Sequence, residues 1–160
     1  MGEMARKMAG PKVDELIEDL NRAYADEWLA FFYYKTAAEI AEGLNREVVA
    51  EKFSKVADEE LHHAEELAER IGQLGGEVIK EFDDIKARAN CKTVKLPEDP
   101  KDLEGFLRAG IEAEQCAIKV YEEILEKLKN DIKDPISFHV IRHIMQEEVE
   151  HEDDFETLLG

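Results

Sequence analysis

Two Glu-x-x-His motifs occur in this sequence, one formed by Glu60 and His63 and the other by Glu148 and His151. Residues three apart on a helix share one face. Each motif falls in line with apolar residues whose spacing predicts the buried face of a long helix. A buried carboxylate and imidazole are costly unless something pairs with them. The doubled motif therefore indicates a shared metal site.

Each motif is preceded, one helix earlier, by another glutamate on the predicted apolar face. Glu27 lies 33 residues before Glu60 and Glu114 lies 34 residues before Glu148, so the chain carries a faint internal repeat. Four buried carboxylates are prohibitive without countercharge, and two bridged cations remove that cost. Mixed oxygen and imidazole ligands suit iron or manganese, and zinc can occupy the same site. We predict a two-metal site with six ligands: Glu27, Glu60, His63, Glu114, Glu148 and His151.

A third Glu-x-x-His pair, Glu59 with His62, has a different helical phase. It extends a polar row with Lys55 and Glu66. Since a polar row is typical of the solvent-facing side of a helix, we interpret this pair as exposed.

Two tyrosines and two further histidines stand near the motifs. Tyr34 and Tyr121 lie two turns beyond Glu27 and Glu114 on the same faces. They are either hydrogen-bond partners of the ligand carboxylates or ordinary core tyrosines, and both interpretations stay open. His139 and His143 could pair on a metal at four-residue spacing, but they lie off the apolar face and are interpreted as surface residues.

Helix start and stop signals recur four times. The predicted helices run from Pro11 to about Glu42, from the N-cap Asn45 to 72–76, from the N-cap Asp99 to about Lys129, and from Asp134 almost to Gly160.

The lengths of the connections between the helices determine the predicted topology. The links near residues 43–45 and 130–134 are short and force antiparallel neighbours, whereas about 25 residues, 75–99, separate the second and third helices. A helix of this length measures about 42 Å, and the long link can span about 80 Å when extended. This predicts a single all-α domain over residues 1–160, a four-helix bundle with one long crossover, in which residues 1–10 are flexible.

Composition excludes several function classes. The formal net charge is −18, so we expect no nucleic-acid partner. No segment approaches the roughly 20 apolar residues of a membrane span, and no signal-peptide apolar region follows Met1, so a cytoplasmic protein is expected. Two cysteines are too few for a disulfide scaffold.

Across nearly its whole length the chain resembles the ferritin superfamily, and within it bacterioferritin and the archaeal Dps-like proteins called thioferritins. The run EELHHAEELAERIGQLGG, residues 59–76, is similar to the second helix of bacterioferritins. The resemblance implies a ferritin-like bundle with two iron ions per subunit. Leu61 stands where haem-binding bacterioferritins carry a methionine ligand, so haem is not expected. The chain stops soon after His151 without the fifth helix of 24-subunit ferritins, which implies a 12-subunit, Dps-like cage.

Thioferritins also carry a cysteine pair, with one member in the crossover and one on the third helix, and Cys91 and Cys116 occupy those places. Cys116 lies about 200° round the helix from Glu114, so it points away from the metals and is a poor ligand. The resemblance implies a structural or redox-active disulfide, which would stabilise the fold by about 3 kcal/mol. Two unrelated thiols are the alternative.

The function expected from this resemblance is that of a ferroxidase. Fe²⁺ would be oxidised at the six ligands, by hydrogen peroxide in preference to dioxygen, and ferric mineral would be stored in a hollow homo-oligomer that protects against oxidative stress. One alternative is a rubrerythrin-like di-iron peroxidase that stores no mineral, although the rubredoxin domain usual in that family, with its two Cys-x-x-Cys pairs, is absent here. The other is a metal-free helical interaction protein.

Overall fold

The computed structural model describes residues 2–160, and among these it contains helices and no strand. The elements are α1 (Glu3–Ala9), a 3₁₀ turn (Gly10–Lys12), α2 (Val13–Ile40), α3 (Arg46–Gln73), α4 (Phe82–Arg88), α5 (Leu103–Asn130) and α6 (Pro135–Leu159). Helix α2 packs along α3 and α5 along α6, and the two pairs meet through α2 with α5 and α3 with α6. The predicted four-helix bundle with a crossover between its second and third long helices is confirmed.

Capping carboxylates fix where two of the long helices begin. Asp134 accepts a hydrogen bond from the Ile136 amide at 3.1 Å and caps α6, as predicted. Helix α5, however, begins three residues later than the predicted cap at Asp99 implies. The Asp102 carboxylate caps it by accepting from the Gly105 amide at 2.9 Å.

The N-cap of α3 is unusual. Asn45 holds the predicted position, but its backbone is left-handed, with φ of 67°, and its side chain does not cap the helix. Asparagine tolerates this conformation better than most residues. We attribute its presence here to the tight turn from α2.

The amino-terminal segment is folded where the sequence predicts flexibility. Helix α1 places Ala9 in the core, and the Arg6 guanidinium donates a hydrogen bond of 2.7 Å to the Leu74 carbonyl at the end of α3. The same guanidinium contacts Asp14 at 3.0 Å. These contacts link the segment to two helices of the bundle.

The core consists of two apolar clusters separated along the bundle. The first surrounds Leu20, Leu67 and Ile144 near the crossover end of α3. The second is aromatic and includes Phe53 and Phe155, whose rings stack with centroids 4.9 Å apart. The layer between them contains the predicted metal ligands, so both clusters shield it from water.

A buried ion pair joins α3 to the start of α6. Arg70 donates to the Asp134 carboxylate at 2.6 Å and to the Ser137 hydroxyl at 2.8 Å, and all three residues are buried. Burial alone would raise the pKa of Asp134, but the hydrogen bonds from Ser137 and Arg70 hold that pKa below its ordinary value.

The crossover lies along α2. Asn21 holds its first part, accepting from the Ile79 amide and donating to the Glu77 carbonyl, both at 3.0 Å. The short helix α4 then places Ile85 against Ala25 of α2. A disulfide between Cys91 and Cys116 attaches the last part of the crossover to α5, with the two Cα atoms 5.9 Å apart. Within the described residues, no helix is long and apolar enough to cross a membrane.

Candidate metal centre

The six predicted ligands meet in the middle layer of the bundle. All are buried, with His151 the most exposed at 4% of its surface. Helix α2 supplies one ligand, α3 two, α5 one and α6 two: Glu27; Glu60 and His63; Glu114; Glu148 and His151. The long helices position them because each lies on the apolar face of its own helix.

These residues form two overlapping groups, in each of which the ligand atoms lie within 4.8 Å of one another. Glu27 and His63 belong only to the first group, and Glu114 and His151 only to the second. Glu60 and Glu148 belong to both groups. The two motif glutamates therefore stand where carboxylates could bridge a pair of cations.

The imidazoles face carboxylates of the opposite motif. His63 Nδ1 lies 2.9 Å from Glu148 Oε1, and His151 Nδ1 lies 3.2 Å from Glu60 Oε1. The rings are nearly parallel, at 27°, with their centroids 5.9 Å apart. Each motif thus faces the other across the bundle axis.

Several of these polar atoms have no hydrogen-bond partner in the described part of the chain. They are Glu60 Oε1, both carboxylate oxygens of Glu148, and Nδ1 of His63 and His151. The contacts above are close enough for ion pairs, but they lack hydrogen-bond geometry. Buried polar atoms are normally satisfied, and oxygen with imidazole nitrogen is the donor set that iron and manganese prefer. The residues present fit two such cations.

The four carboxyl groups among the ligands differ in the direction in which their pKa is shifted. Burial, reinforced by the charge of Glu148, raises the pKa of Glu27 and Glu114 well above the ordinary value. Burial would also raise the pKa of Glu60 and Glu148, but the close approach of the neighbouring carboxyl and imidazole groups holds it below the ordinary value. Glu60 and Glu148 are therefore the ionised pair.

The imidazoles carry the matching positive charge. Burial alone would lower the pKa of His151, but Glu148 and Glu60 raise it to about 10. The pKa of His63 is also raised, by Glu148, Glu27 and Glu60 against the effect of burial. The carboxylates around the two imidazoles therefore favour the protonated form of both rings.

Two further glutamates hold the outer nitrogens of the imidazoles. His63 Nε2 lies 2.7 Å from Glu147 Oε2, and His151 Nε2 lies 2.9 Å from Glu59 Oε2. A carboxylate at Nε2 fixes the ring and directs Nδ1 towards the metals.

The sequence interpretation missed this role for Glu59. It treated Glu59 and His62 together as solvent-facing, and His62 is 63% exposed, but Glu59 is only partly exposed because His151 covers it. A usable signal was present, since a glutamate directly precedes each motif glutamate, at Glu59 and Glu147.

Replacing Glu147 with alanine is expected to weaken metal binding at the His63 position by roughly 10- to 100-fold. The imidazole would lose the carboxylate that orients it. Calorimetric titration of the chelator-treated protein with Co²⁺ measures the effect. Glu150→Ala, an exposed carboxylate on the same helix, is the matched control. Equal affinities for the two variants would contradict the assigned role.

The tyrosines contact the remaining ligands. Tyr34 donates a hydrogen bond of 2.5 Å to Glu114, and Tyr121 donates one to Glu27. Each tyrosine is therefore bonded to a predicted metal ligand that lies in the other half of the sequence. These are the hydrogen bonds that the first of the two sequence interpretations requires.

The cysteines and the outer histidines lie apart from both ligand groups. Cys91 and Cys116 are bonded to each other. His139 and His143 are exposed, as predicted, although His143 Nε2 comes within 3.8 Å of Glu147 Oε2.

Asp26, next to ligand Glu27, was not singled out from the sequence. It accepts hydrogen bonds from the Cys91 amide at 2.8 Å and the Asn90 side chain at 2.7 Å. Burial raises the pKa of Asp26 to about 6, against the opposing effect of these bonds. Asp26 thus holds the crossover beside the metal centre.

Comparison with known proteins supports this assignment of the fold. The ferritin-like domain model matches residues 17–160. The DNA protection during starvation protein of Pyrococcus furiosus is 37% identical over 150 residues, covering 94% of this chain and 80% of that protein. Bacterioferritin of Desulfovibrio desulfuricans is 30% identical over 148 residues, covering 77% and 83%. The structure of a dodecameric thioferritin, the bacterioferritin-related protein of Bacteroides fragilis, is 33% identical with a TM-score of 0.90, covering 99% of this chain and 93% of that one.

Proposed function

This chain belongs to the ferritin-like domain family, and from that premise we propose that it is a ferroxidase that stores iron. Its substrates are Fe²⁺ and hydrogen peroxide, with dioxygen as the slower oxidant. Two Fe²⁺ ions each give one electron to one peroxide molecule, which takes up two protons and leaves as two waters. The ferric product accumulates as mineral inside a hollow oligomer.

The pair of overlapping ligand groups supports this proposal most directly. Reduction of peroxide to water needs two electrons, and Fe²⁺ supplies one. Glu60 and Glu148 belong to both groups, so two ferrous ions would be held side by side where one oxidant molecule reaches both. Bound iron supplies the redox chemistry; manganese or zinc could occupy the same ligands.

The protein's own contribution is to position the ligands and to exclude bulk water. Glu147 and Glu59 orient the imidazoles, while Tyr34 and Tyr121 hold the carboxyl groups of Glu114 and Glu27. The apolar clusters above and below keep the layer dry, which strengthens each electrostatic contact within it.

Assembly into a cage of 12 subunits is part of the proposal. The similar protein of Bacteroides fragilis is dodecameric. Large apolar side chains are exposed on α2 and on the turn that follows it, including Phe32 at 66% and Leu44 at 88%. Exposed apolar side chains of this size are typical of subunit contacts.

The decisive experiment is iron loading followed by size-exclusion chromatography with light scattering. We expect a 12-subunit particle that oxidises Fe²⁺ faster with peroxide than with dioxygen, and that retains far more than two irons per chain. A dimer that turns over peroxide while holding two irons per chain would favour the rubrerythrin-like alternative. Protein that binds no metal after purification without chelator would favour the metal-free alternative.

A further inference from the structure

A small cavity lies against the metal centre on the side formed by α2, α5 and the crossover. Its volume is about 50 Å³. Glu27, Glu114 and Glu148 form part of its lining, and residues 91–94 of the crossover form its outer wall. The cavity therefore connects the ligand layer to the one surface that the crossover covers.

This side of the centre differs chemically from the opposite side. On α3 and α6, the partly exposed carboxylates of Glu59 and Glu147 lie outside the imidazoles and suit the approach of a cation. Around the cavity, α2 and α5 add apolar side chains such as Leu29, Ala30 and Ala117, and the charged groups of Asp26 and Lys92 have opposite signs. The lining away from the ligands is therefore partly apolar and carries no excess of acidic groups.

One tyrosine of the cavity lining, Tyr33, has a hydroxyl without a hydrogen-bond partner in the described residues. Tyr33 is only 6% exposed, and this hydroxyl is buried. The hydroxyls of Tyr34 and Tyr121, by contrast, are both bonded to glutamates. An unsatisfied buried hydroxyl is costly, so a bound guest that pairs with it gains that energy.

The volume of the cavity limits the size of the molecule that it can bind. One ordered water needs roughly 10–15 Å³, so about 50 Å³ has room for either oxidant, each of which has two heavy atoms. Of the two oxidants, hydrogen peroxide can both donate a hydrogen bond to the Tyr33 hydroxyl and accept one from it, whereas dioxygen has no proton to donate.

We propose that this cavity binds hydrogen peroxide before it reacts, with the Tyr33 hydroxyl as its hydrogen-bonding partner. The proposal rests on the proposed function and deepens it: Fe²⁺ and the oxidant reach the centre from opposite sides of the bundle. Tyr33 is a binding residue for peroxide and has no role in holding iron.

The test is steady-state Fe²⁺ oxidation by the assembled protein with peroxide or dioxygen as oxidant. Tyr33→Phe should raise the KM for peroxide by roughly 3- to 10-fold, the effect of one hydrogen bond. It should leave kcat, the rate with dioxygen and the Co²⁺ stoichiometry unchanged. Tyr24→Phe, a partly buried tyrosine of α2 that does not line the cavity, is the matched control.

A second variant tests the cavity itself. Ala117→Leu fills the space and should slow oxidation with both oxidants while two Co²⁺ ions still bind. An unchanged KM for peroxide in Tyr33→Phe, or an equal change with dioxygen, would overturn the peroxide site, as would full activity of Ala117→Leu. If the unmodified protein oxidises no Fe²⁺ at all, the proposed function fails first, and this outcome differs from failure of the cavity alone.

Discussion

Replacing Glu148 with alanine is expected to remove both metal positions at once, whereas Glu27→Ala or Glu114→Ala removes only one. Glu148 belongs to both ligand groups, and Glu27 and Glu114 belong to one group each. Titration with Co²⁺ should therefore give two tight sites per chain in the unmodified protein, one in either single-group variant and none in Glu148→Ala. Fe²⁺ oxidation should fall by roughly 100-fold or more in Glu148→Ala, since losing a direct ligand costs more than losing an orienting residue.

Folding needs a separate check in this comparison. Glu148→Ala leaves the buried imidazole of His63 without one of its carboxylate partners, so the metal-free variant should be less stable than the metal-free parent. Circular dichroism and particle mass provide the check. One remaining Co²⁺ site in Glu148→Ala, or two in Glu27→Ala, would contradict the sharing of Glu60 and Glu148 between the metals.

Replacing Arg70 with methionine is expected to lower the free energy of unfolding by about 3–5 kcal/mol, since it leaves Asp134 buried without its partner. Arg142→Met, an exposed arginine on α6, is the matched control and should change stability little. Urea denaturation at one fixed protein concentration measures both, because the stability of an oligomer depends on concentration.

The ion pair of Arg70 and Asp134 also makes the free energy of unfolding depend on pH. The pKa of Asp134 is lower in the folded protein than in the unfolded chain. The stability that this carboxylate contributes is therefore complete above its unfolded pKa and is lost as the pH falls through its folded pKa. In Arg70→Met the guanidinium no longer opposes the effect of burial, so the pKa of Asp134 should rise to or above its unfolded value, and the acid-induced loss that this carboxylate contributes should shrink or reverse. Parallel pH profiles for the two proteins would contradict this assignment.

The bundle and the convergence of the six candidate ligands could be predicted because both follow from helical periodicity. The pair Glu60 and His63 lies one residue further along the same helix than the pair Glu59 and His62. That single step turns the first pair towards the core and the second towards solvent. The long crossover followed from connection lengths alone. These features are determined by residues that are close together in the sequence, so one sequence is enough to predict them.

The parts that could not be predicted depend on how the helices meet. Glu147 and Glu59 are partly exposed on their own helices, and only the contact between α3 and α6 brings each to an imidazole of the other helix. The cap at Asp102 replaced the predicted one at Asp99 because the chain after Pro100 makes one more turn before α5 begins. The cavity beside Tyr33 needs the crossover in place before it exists.

Each half of the chain contributes one carboxylate to the ligand group of the other half, and this has a consequence for design. The α2–α3 hairpin supplies three of the four ligands of the first group and lends Glu60 to the second, while α5–α6 does the same in reverse with Glu148. Two copies of a single hairpin, related by a twofold axis, would therefore carry the whole ligand set. A half-length peptide that dimerises would therefore be a minimal scaffold for this centre. What the single chain adds is asymmetry, because one crossover covers only one side of two otherwise matching ligand groups.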